Sequence, residues 1–570
     1  MSRILDYSYP RSPLKIALIN LTSSLAPANV EPLSIESLAG ALDYAFHVSE
    51  CRCFLYDQQR FNLAEIAVGV KQASVTVIGL SIPIGALNEA NRFLEECSIQ
   101  QVTDFSLVIG GALPTVRPDI ILNLFPQAII VQGYGENSLI GLVKYFMSGQ
   151  QTNLRLVPNL VYLNGKSRIV STFQEPSKLT QVPLPRRQFL PAIIQSGGIV
   201  NAETSRNCSY AAEKGPCTYC VRDPRFSDPK MREIYDRGTV DRAISDIELM
   251  YSLGAREINY VDEEFLGGDP IFANRFADEV TKLNVDIRFL ISTRIDSIHS
   301  RHTSNQTHVL MLSAINNLRK AGLRRLFVGI ESASNSQLRR YHKGYQVGDI
   351  VLTMEVLREI GLDVEVGFIM FDPFVTISEL RDNLNFLNQT GLWKTVSSIT
   401  NMLRVSDGGS YLEMVRNAEK KRRTKILETF CCNTLAFGYN FVHPDVSSIV
   451  TIVQEWKSII DRVQYALKSV TRGRFGIPGQ NPMVDMANHY LYRIRRLEMT
   501  MLTSLVEADQ ANSNKLSQIN KENFTQLALI LDDLAIALQT KMVIDSVDLV
   551  KNAVDESRSM MLVHRKESAN

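Results

Sequence analysis

Three cysteines near the middle of the chain have the residue type and spacing to hold a metal centre. Cys208 is followed by Cys217 and Cys220, all within the segment 203–223. Thiolates are soft ligands that select zinc or iron–sulfur clusters, and a Cys-x-x-Cys turn lets two of them reach one metal. A structural zinc site needs four ligands, but no fourth Cys or His lies between residues 198 and 270. This favours an iron–sulfur cluster that leaves one iron open to a small molecule.

Two other sites are compatible with the same cysteines. A zinc ion can borrow a distant histidine, and His299, His302 and His308 are the candidates. Alternatively, the Cys-x-x-Cys pair can act as a redox pair without a metal. Spacing alone leaves these interpretations open.

The residues around the cysteines resemble the cluster loop of radical S-adenosylmethionine (SAM) enzymes. In that family three cysteines bind a [4Fe–4S] cluster whose open iron is chelated by SAM, and an aromatic residue, here Tyr219, commonly precedes the last cysteine. The family usually has three residues in the first gap, whereas eight separate Cys208 from Cys217 here. The resemblance implies that Cys208, Cys217 and Cys220 are the metal ligands and the centre of catalysis.

The composition is that of an ordinary globular protein. The chain has 570 residues, of which 45% are hydrophobic and 21% charged, and its length predicts two to four domains. A net charge of +1 gives no electrostatic footprint for nucleic acid or an anionic membrane. No apolar run of signal-peptide or membrane-spanning length is present, and eight cysteines are too few for a disulfide framework. We therefore expect a cytoplasmic protein.

Residues 1–150 predict a doubly wound, Rossmann-like parallel sheet. Short apolar runs such as LKIALINL, CRCFLYD and VTVIGLSI alternate with amphipathic stretches. In such sheets ligands bind beyond the carboxyl ends of the strands. The turns at those ends are small and polar, and they contain Ser81, Gly110, Gly111, Thr115, Gly133, Gly135 and Glu136.

Taken together, these turns resemble the cobalamin-binding domain that precedes many radical SAM domains. The segment PLSIESLAGAL, residues 32–42, also resembles the first helix of that domain. The resemblance implies that Ser81, the glycines, Thr115 and Glu136 surround the corrin and its nucleotide tail. The domain's only histidine, His47, lies outside any Asp-x-His-x-x-Gly context, so cobalamin is expected to lack a protein histidine on its lower face.

Residues 198–406 repeat a strand-then-helix pattern that predicts a partial (β/α) barrel with its chemistry at the carboxyl ends of the strands. The segments ISTRID, GIESASNSQL and FIMFDPFVTISEL resemble the corresponding radical SAM strands. This resemblance implies that Arg294 and Glu331 contact SAM and that the backbone around Tyr219 faces the adenine. Asp262, Glu263 and Glu264 are expected somewhere in the SAM or substrate pocket.

The remaining segments connect or cover these two domains. Residues 151–197 predict a linker that contains a hairpin with Asn164 and Gly165 at its turn. Residues 407–570 predict a helical extension, broken at the GIPGQNP segment (residues 476–482), in which Cys431 and Cys432 lie on helix faces in the core.

The resemblances together predict an α/β enzyme that uses a [4Fe–4S] cluster, SAM and cobalamin. In this family the reduced cluster splits SAM into methionine and a 5′-deoxyadenosyl radical, which takes hydrogen from an unactivated carbon. The leading prediction is a C-methyltransferase that transfers methyl from methylcobalamin to a small-molecule or peptide substrate, supplied with electrons by a flavodoxin or ferredoxin. One alternative keeps both cofactors but performs ring contraction, cyclisation or oxidation. Another is a non-catalytic zinc-binding sensor.

Overall fold

The structure, a computed structural model, describes residues 12–25, 28–221, 234–301, 304–471, 481–508, 513–539 and 545–567. Within these residues the chain forms four β-sheets, and the two largest position the candidate site. None of the helices in the described ranges combines the length and hydropathy that crossing a bilayer requires.

The first large sheet has seven strands: β1 (Leu14–Asn20), β2 (Cys51–Asp57), β3 (Val77–Ser81), β4 (Ser106–Gly110), β5 (Ile129–Val131), β6 (Leu160–Asn164) and β7 (Ser167–Val170). Their order is β2-β1-β3-β4-β5-β6-β7, and β1 to β5 run parallel. The parallel order 2-1-3-4-5 is that of a flavodoxin-like doubly wound sheet, whose switch point lies between β1 and β3. This confirms the predicted class of the first domain.

Helices cover both faces of this sheet: α1 (Leu33–Ala45), α2 (Leu63–Ala73), α3 (Leu87–Ile99), α4 (Ala112–Val116), α5 (Pro118–Leu124) and α6 (Glu136–Met147). Along β1, Ile16 and Leu18 belong to one buried cluster, whereas Ala17 and Ile19 belong to the other. A parallel strand that is buried on both faces needs this continuous apolar run.

The hairpin of β6 and β7, which the sequence placed in the linker, extends the first sheet. Strand β6 pairs antiparallel with β5 and β7 pairs antiparallel with β6. Residues 151–197 are therefore not only a linker between the two domains. Strand β6 in their first part covers the edge of β5 that would otherwise be exposed. A short helix, α7 (Leu190–Gln195), precedes the next domain.

The second large sheet has five parallel strands: β8 (Asn201–Ala202), β11 (Glu257–Tyr260), β12 (Arg288–Thr293), β13 (Leu323–Glu331) and β14 (Asp363–Phe368). Its order, β14-β13-β12-β11-β8, follows the chain, as expected for the predicted partial barrel. A two-stranded sheet, β9 (Ser205–Arg206) and β10 (Asp236–Arg237), lies between β8 and β11 in sequence. The accompanying helices are α8 (Ser209–Lys214), α9 (Val240–Ser252), α10 (Pro270–Lys282), α11 (Ile295–Ile298), α12 (Asn305–Ala321), α13 (Asn335–Arg340), α14 (Val347–Ile360) and α15 (Ile377–Thr390).

The last region is mainly helical but contains strands that the sequence analysis missed. It comprises β15 (Val405–Ser406), α16 (Ser410–Arg422), β16 (Leu427–Cys431), β17 (Ala436–Tyr439), α17 (Pro444–Thr471), α18 (Pro482–Glu507), α19 (Ser513–Gln539) and α20 (Asp545–Glu567). The strands form a sheet in the order β15-β17-β16. Most of the predicted break at residues 476–482 lies outside the described residues.

The prediction that Cys431 and Cys432 are core residues on helix faces is wrong. Both are exposed, and Cys431 ends strand β16. The hairpin tip that follows reaches back to the first domain, where Leu435 is fully buried in the cluster of the first sheet. Asn433 there accepts hydrogen bonds from the backbone N–H groups of Gly85 (2.7 Å) and Leu87 (2.8 Å).

Candidate functional site

A cavity of about 380 Å³ opens at the carboxyl edge of the first sheet. The predicted turn residues Ser81, Gly110, Gly111, Gly133, Gly135 and Glu136 all line it, together with Leu18 of β1. The cavity therefore lies at the switch point between β1 and β3, where doubly wound sheets bind ligands.

Gly111, which lines this cavity, has a backbone conformation that favours glycine. Its φ of 112° and ψ of −176° lie in a region that is essentially restricted to glycine. A Cβ atom at this position would lie 2.6 Å from the carbonyl oxygen of Ile82. The turns after β3 and β4 consequently touch backbone to backbone.

Thr115 is the one predicted turn residue that does not line the cavity. Its hydroxyl donates to the carbonyl of Gly111 (2.7 Å) and accepts from the N–H of Gly133 (2.9 Å). Because Thr115 is buried, these bonds fix the spacing between the second and third turns. The structure gives it a positioning role.

The barrel supplies the opposite wall of the cavity. Glu203, Ser205, Arg206 and Asn207, which lead directly into Cys208, line it together with Glu263. The cavity thus lies between the first domain and the start of the cysteine loop.

Arg206 ties the two walls together. Its guanidinium pairs with Glu136 of the first domain at 2.7 Å and with Glu203 at 2.9 Å, and it stacks on the ring of Tyr134 at 4.3 Å. The carboxylate of Glu136, which the sequence analysis predicted to contact a cofactor, is therefore engaged in this ion pair. The Nη1 atom of Arg206 is buried and has no hydrogen-bond partner within the described part of the chain.

No histidine is among the described residues that line this cavity. His47 instead follows α1 and bonds through Nδ1 to the hydroxyl of Ser49 at 2.7 Å.

The cysteine loop is held against the barrel by its backbone. Cys208 caps the amino end of α8, and the Cys220 N–H donates to the carbonyl of Cys217 at 3.1 Å. Thr218 between them donates its N–H to Tyr341 (3.1 Å) and its hydroxyl to the Arg340 carbonyl (2.9 Å). The eight-residue gap of the sequence is occupied by α8.

Cys217 lies in a strongly stabilising environment for a thiolate. A hydrogen bond with Cys220 is the largest cause that lowers the pKa of the Cys217 thiol to about 4, and the positive charges of Lys343 and Arg294 lower it further against the effect of burial. Arg294 also donates directly to the Cys217 sulfur at 3.4 Å. Thiolate is the form that binds metals.

The predicted residues Tyr219, Arg294 and Glu331 meet around Lys343, which the sequence analysis did not identify. The Lys343 ammonium lies 3.3 Å from the Tyr219 hydroxyl and 3.4 Å from a carboxylate oxygen of Glu331. Arg294 donates to the Lys343 carbonyl at 2.6 Å and pairs with Asp296 at 2.8 Å. Although burial opposes the charge, the nearby Tyr345, Cys217 and Glu331 raise the pKa of Lys343 above its usual value.

Glu331 adopts a backbone conformation that costs free energy. Its φ is 65°, in the left-handed region, and the pairing of β13 with β14 shifts register at this residue. Such strain costs about 1–3 kcal/mol and persists where the surroundings impose it, often at functional sites. The position is the carboxyl end of β13, where the resemblance places SAM.

Of the three acidic residues after β11, Asp262 and Glu264 form buried hydrogen bonds, and Glu263 lines the cavity. Asp262 accepts bonds from Thr204 and Ser205, and burial is the largest cause that raises its pKa to about 6. Glu264 is buried and accepts from the hydroxyl of Thr293 at 2.6 Å. Glu263 alone lines the cavity.

The three cysteines have the chemistry that an iron–sulfur cluster requires of its ligands. Cys217 and Cys220 form a hydrogen-bonded pair beside two cations, as suits an anionic cluster. Within the described residues, no group of three or more His, Cys, Asp or Glu side chains is arranged as a metal site. Of the histidines considered for zinc, His299 and His308 stack on each other at 4.4 Å, and His302 lies outside the described residues.

Residues 203–387 match the Radical SAM superfamily. The chain therefore contains a radical SAM domain. The domain runs from the segment that lines the cavity, through all three cysteines, to α15.

Two curated proteins resemble the chain. It is 28% identical over 344 residues to the 4′-phospho-dehydrooxetanocin synthase of Priestia megaterium, which covers 58% of this chain and 45% of that protein. It is 22% identical over 336 residues to an uncharacterized methyltransferase of Pyrococcus horikoshii, which covers 57% of this chain and 66% of that protein. The match thus spans less than half of the first relative's length.

Solved structures share the fold over most of the chain. The cobalamin-dependent radical enzyme OxsB, with aqua-cobalamin and SAM bound, matches with a TM-score of 0.77 and 19% identity over 96% of this chain and 84% of that one. The methyltransferase TsrM of Kitasatospora setae, with cobalamin and a [4Fe-4S] cluster bound, matches with a TM-score of 0.58 and 15% identity over 90% of this chain and 100% of that one. These likenesses confirm the predicted fold class from the first sheet to the helical region.

Proposed function

We propose that the chain is a cobalamin-dependent radical SAM enzyme and that its activity is methyl transfer to a carbon atom of a small-molecule or peptide substrate. The observation that carries the proposal is the shared cavity: glycine turns at the switch point of the first sheet form one wall, and the segment leading into Cys208 forms the other. A corrin held by the first domain would face the cluster loop of the radical SAM domain across this space.

The residues have distinct roles in this proposal. Cys208, Cys217 and Cys220 hold the cluster, and Arg294 and Lys343 neutralise its negative charge. The backbone around Tyr219 and the carboxylate of Glu331 orient SAM at the ends of the strands. Bound together, these cofactors supply one-electron cleavage of SAM and a transferable methyl group.

The turn residues act on the other side. Gly110, Gly111, Gly133 and Gly135, with Ser81, let a large flat ligand approach the backbone, and Thr115 keeps the turns in register. Arg206 holds the two walls at a fixed separation through Glu136. Electrons come from an external donor such as a flavodoxin or ferredoxin.

Methyl transfer is supported by the names of two similar proteins, TsrM and the methyltransferase of Pyrococcus horikoshii. A second candidate keeps both cofactors but performs ring contraction, cyclisation or oxidation. It is favoured by the relative of higher identity, which is named a synthase. Nothing favours the zinc-binding sensor, because residues 203–387 match a family of radical enzymes.

The first test is anaerobic purification with cobalamin supplied, followed by iron, cobalt and zinc analysis. The proposal expects iron in the proportion of one [4Fe–4S] cluster, one cobalt and no zinc per chain. Iron without cobalt would remove cobalamin chemistry from the proposal, and zinc alone would overturn it entirely.

The cluster assignment has a matched pair of variants. Cys217→Ala should lose the iron and the reductive cleavage of SAM to 5′-deoxyadenosine while cobalt binding persists. Cys432→Ala, at an exposed cysteine, should keep the iron and the SAM cleavage.

The reaction products distinguish the two candidate functions. Methyl transfer yields S-adenosylhomocysteine as well as 5′-deoxyadenosine, and the second candidate yields 5′-deoxyadenosine without it.

A further inference from the structure

A second cavity, of about 680 Å³, lies inside the barrel. It meets the cavity between the glycine turns and the cysteine loop, which we call the cofactor cavity, at Val261 just after β11. Its wall includes Arg325 of β13 and Asp363 of β14, both near the start of their strands. Arg325 is six residues before Glu331 on β13, which places it about 20 Å from the strand end where SAM is expected. We call this space the basal cavity.

The helical region closes the basal cavity. Lys468 on α17 and Arg495 on α18 both line it, beside Ser397 of the segment that follows α15. The cavity is therefore lined by the barrel and the helical region, with Ala28 and Val30 of the first domain at its border.

The basic side chains in the basal cavity outnumber the acidic ones. Four are basic, namely Arg325, Lys394, Lys468 and Arg495, and two are acidic, namely Asp363 and Glu365. Arg325 and Asp363 pair with each other at 2.6 Å. Three basic side chains, Lys394, Lys468 and Arg495, then remain against one acidic side chain, Glu365, so the cavity lining has an excess of positive charge.

Lys468 and Arg495 carry that excess without an ion pair. The Lys468 ammonium donates to the carbonyl of Ser397 at 3.0 Å, and Arg495 donates to the carbonyl of Lys394 at 2.6 Å. In the part of the chain that the structure describes, neither cation has a carboxylate within salt-bridge distance. Burial lowers the pKa of both groups, Glu365 raises it only in part, and Arg495 lowers the pKa of Lys468 further.

The basal cavity also contains an unused acceptor. The amide of Asn259 donates to Asn201 at 2.8 Å, but its Oδ1 atom is buried without a partner among the described residues. A hydrogen-bond donor on a ligand would satisfy this buried acceptor. Phe327 and Tyr465 add ring surfaces to the wall.

We propose that the basal cavity binds a phosphate monoester of a small hydroxylated molecule, with the phosphate between Lys468 and Arg495 and a hydroxyl donating to Asn259. A phosphate monoester carries a charge of about −1.5 to −2 at neutral pH, which matches the two unpaired cations. Arginine offers the planar fork that suits phosphate oxygens, and lysine adds a point charge. Lys468, Arg495 and Asn259 do not line the cofactor cavity, and the proposal does not depend on the proposed reaction.

Binding there would join the helical region to the barrel. The bound phosphate would bridge α17 and α18, while the body of the ligand would contact β11 and β13. We therefore expect the ligand to raise the midpoint of thermal unfolding of the full chain by mass action.

The test uses the full chain with its cofactors, isothermal titration calorimetry, and ribose 5-phosphate, inorganic phosphate and ribose as probes. Ribose 5-phosphate should bind and raise the unfolding midpoint, inorganic phosphate should bind more weakly, and ribose should not bind. Lys468→Met and Arg495→Met should each weaken ribose 5-phosphate binding by about tenfold or more, since each removes a charged hydrogen bond.

Arg496→Gln is the matched control, because Arg496 is the exposed neighbour of Arg495 on the same helix. It should leave the affinity unchanged. Without ligand, Lys468→Met should be at least as stable as the parent, because it replaces a half-buried cation that has no ion pair by an apolar chain of similar length. This separates a lost binding site from a misfolded chain.

Three results would overturn the proposal. They are no heat of binding with millimolar ribose 5-phosphate, equal binding of ribose, and unchanged affinity in both Lys468→Met and Arg495→Met. Since none of these readouts uses SAM cleavage, failure of this proposal leaves the proposed enzyme activity untouched.

Discussion

Gly111→Ala should destabilise the cofactor cavity more than any other glycine-to-alanine change in its turns. An alanine at φ 112° and ψ −176° costs about 1–3 kcal/mol. Its Cβ would also lie 2.6 Å from the Ile82 carbonyl oxygen and 2.8 Å from the Ile82 nitrogen, both backbone atoms that cannot rotate away. To relieve the contact the turns must separate.

Separating the turns after β3 and β4 would weaken two backbone hydrogen bonds between them. Ile82 donates its N–H to Gly110 at 2.8 Å, and Leu113 donates to the Ile82 carbonyl at 3.3 Å. With about 1 kcal/mol for a hydrogen bond added to the conformational cost, the local loss is about 3 kcal/mol.

Two control variants isolate the contributions. Gly149 has φ 66° but no atom within 4 Å of an added Cβ, so Gly149→Ala should show the conformational cost alone, about 1 kcal/mol. Gly110 lacks a positive φ, and its nearest contact would be 3.7 Å, so Gly110→Ala should change local stability by less than about 1 kcal/mol.

Native-state hydrogen exchange of peptides from residues 77–116 measures this loss. A change of 3 kcal/mol corresponds to about a 100-fold fall in protection of the amides in β3 and β4. We expect that fall in Gly111→Ala, together with weaker hydroxocobalamin binding. Equal protection in Gly111→Ala and Gly110→Ala would refute the steric argument.

Other charged groups give further predictions. Burial is the largest cause that raises the pKa of Glu498 from 4.5 to about 7, so stability should fall as pH rises through that window, by up to about 3 kcal/mol, and Glu498→Gln should flatten urea-unfolding profiles. Burial and then Glu31 raise the pKa of Glu36 from 4.5 to about 9, so the parent protein should lose stability as pH rises between those values; Glu36→Gln, which cannot ionise, should be the more stable protein at neutral pH, by a margin that grows up to about pH 9, and equal stability of the two proteins at pH 8 would contradict this. Arg206→Met leaves its carboxylates buried and unpaired, so it should cost about 3–5 kcal/mol in urea unfolding, and adding Glu136→Gln should recover part of that loss.

Local pattern was sufficient to predict most of the parallel strands of the two sheets, although not that the hairpin of β6 and β7 extends the first sheet. A run such as CRCFLYD became β2 with the same bounds, and ISTRID, GIES and FIMF each stand at the end of a parallel barrel strand. Strands buried on both faces must be apolar and short, and the turns after them must accommodate tight backbone geometry. These requirements act within a few residues, so the sequence shows them directly.

The hairpin of β16 and β17 could not be predicted in the same way. LETFC and AFGY are short and only partly buried, so their alternation is weak. Their role depends on Leu435, which is buried in the cluster of a sheet formed more than 260 residues earlier in the chain. No window of neighbouring residues contains that information.

The same limit explains which residues of the candidate site the sequence analysis named. Tyr219, Arg294 and Glu331 were predicted because each belongs to a segment that resembles a known strand or loop. Lys343 and Arg206 were not, although Arg206 is only two residues from Cys208, because their importance arises from partners that are distant in sequence.

Arg206 illustrates why the missing information bears on function. Its charge is balanced by one carboxylate from its own loop, Glu203, and one from the first domain, Glu136. The pairing closes only when the domains are assembled, and the assembled position sets the width of the cavity between the glycine turns and the cysteine loop. A sequence pattern can therefore predict the fold of each domain, but the width of the cavity between the domains depends on a contact that neither domain's pattern contains.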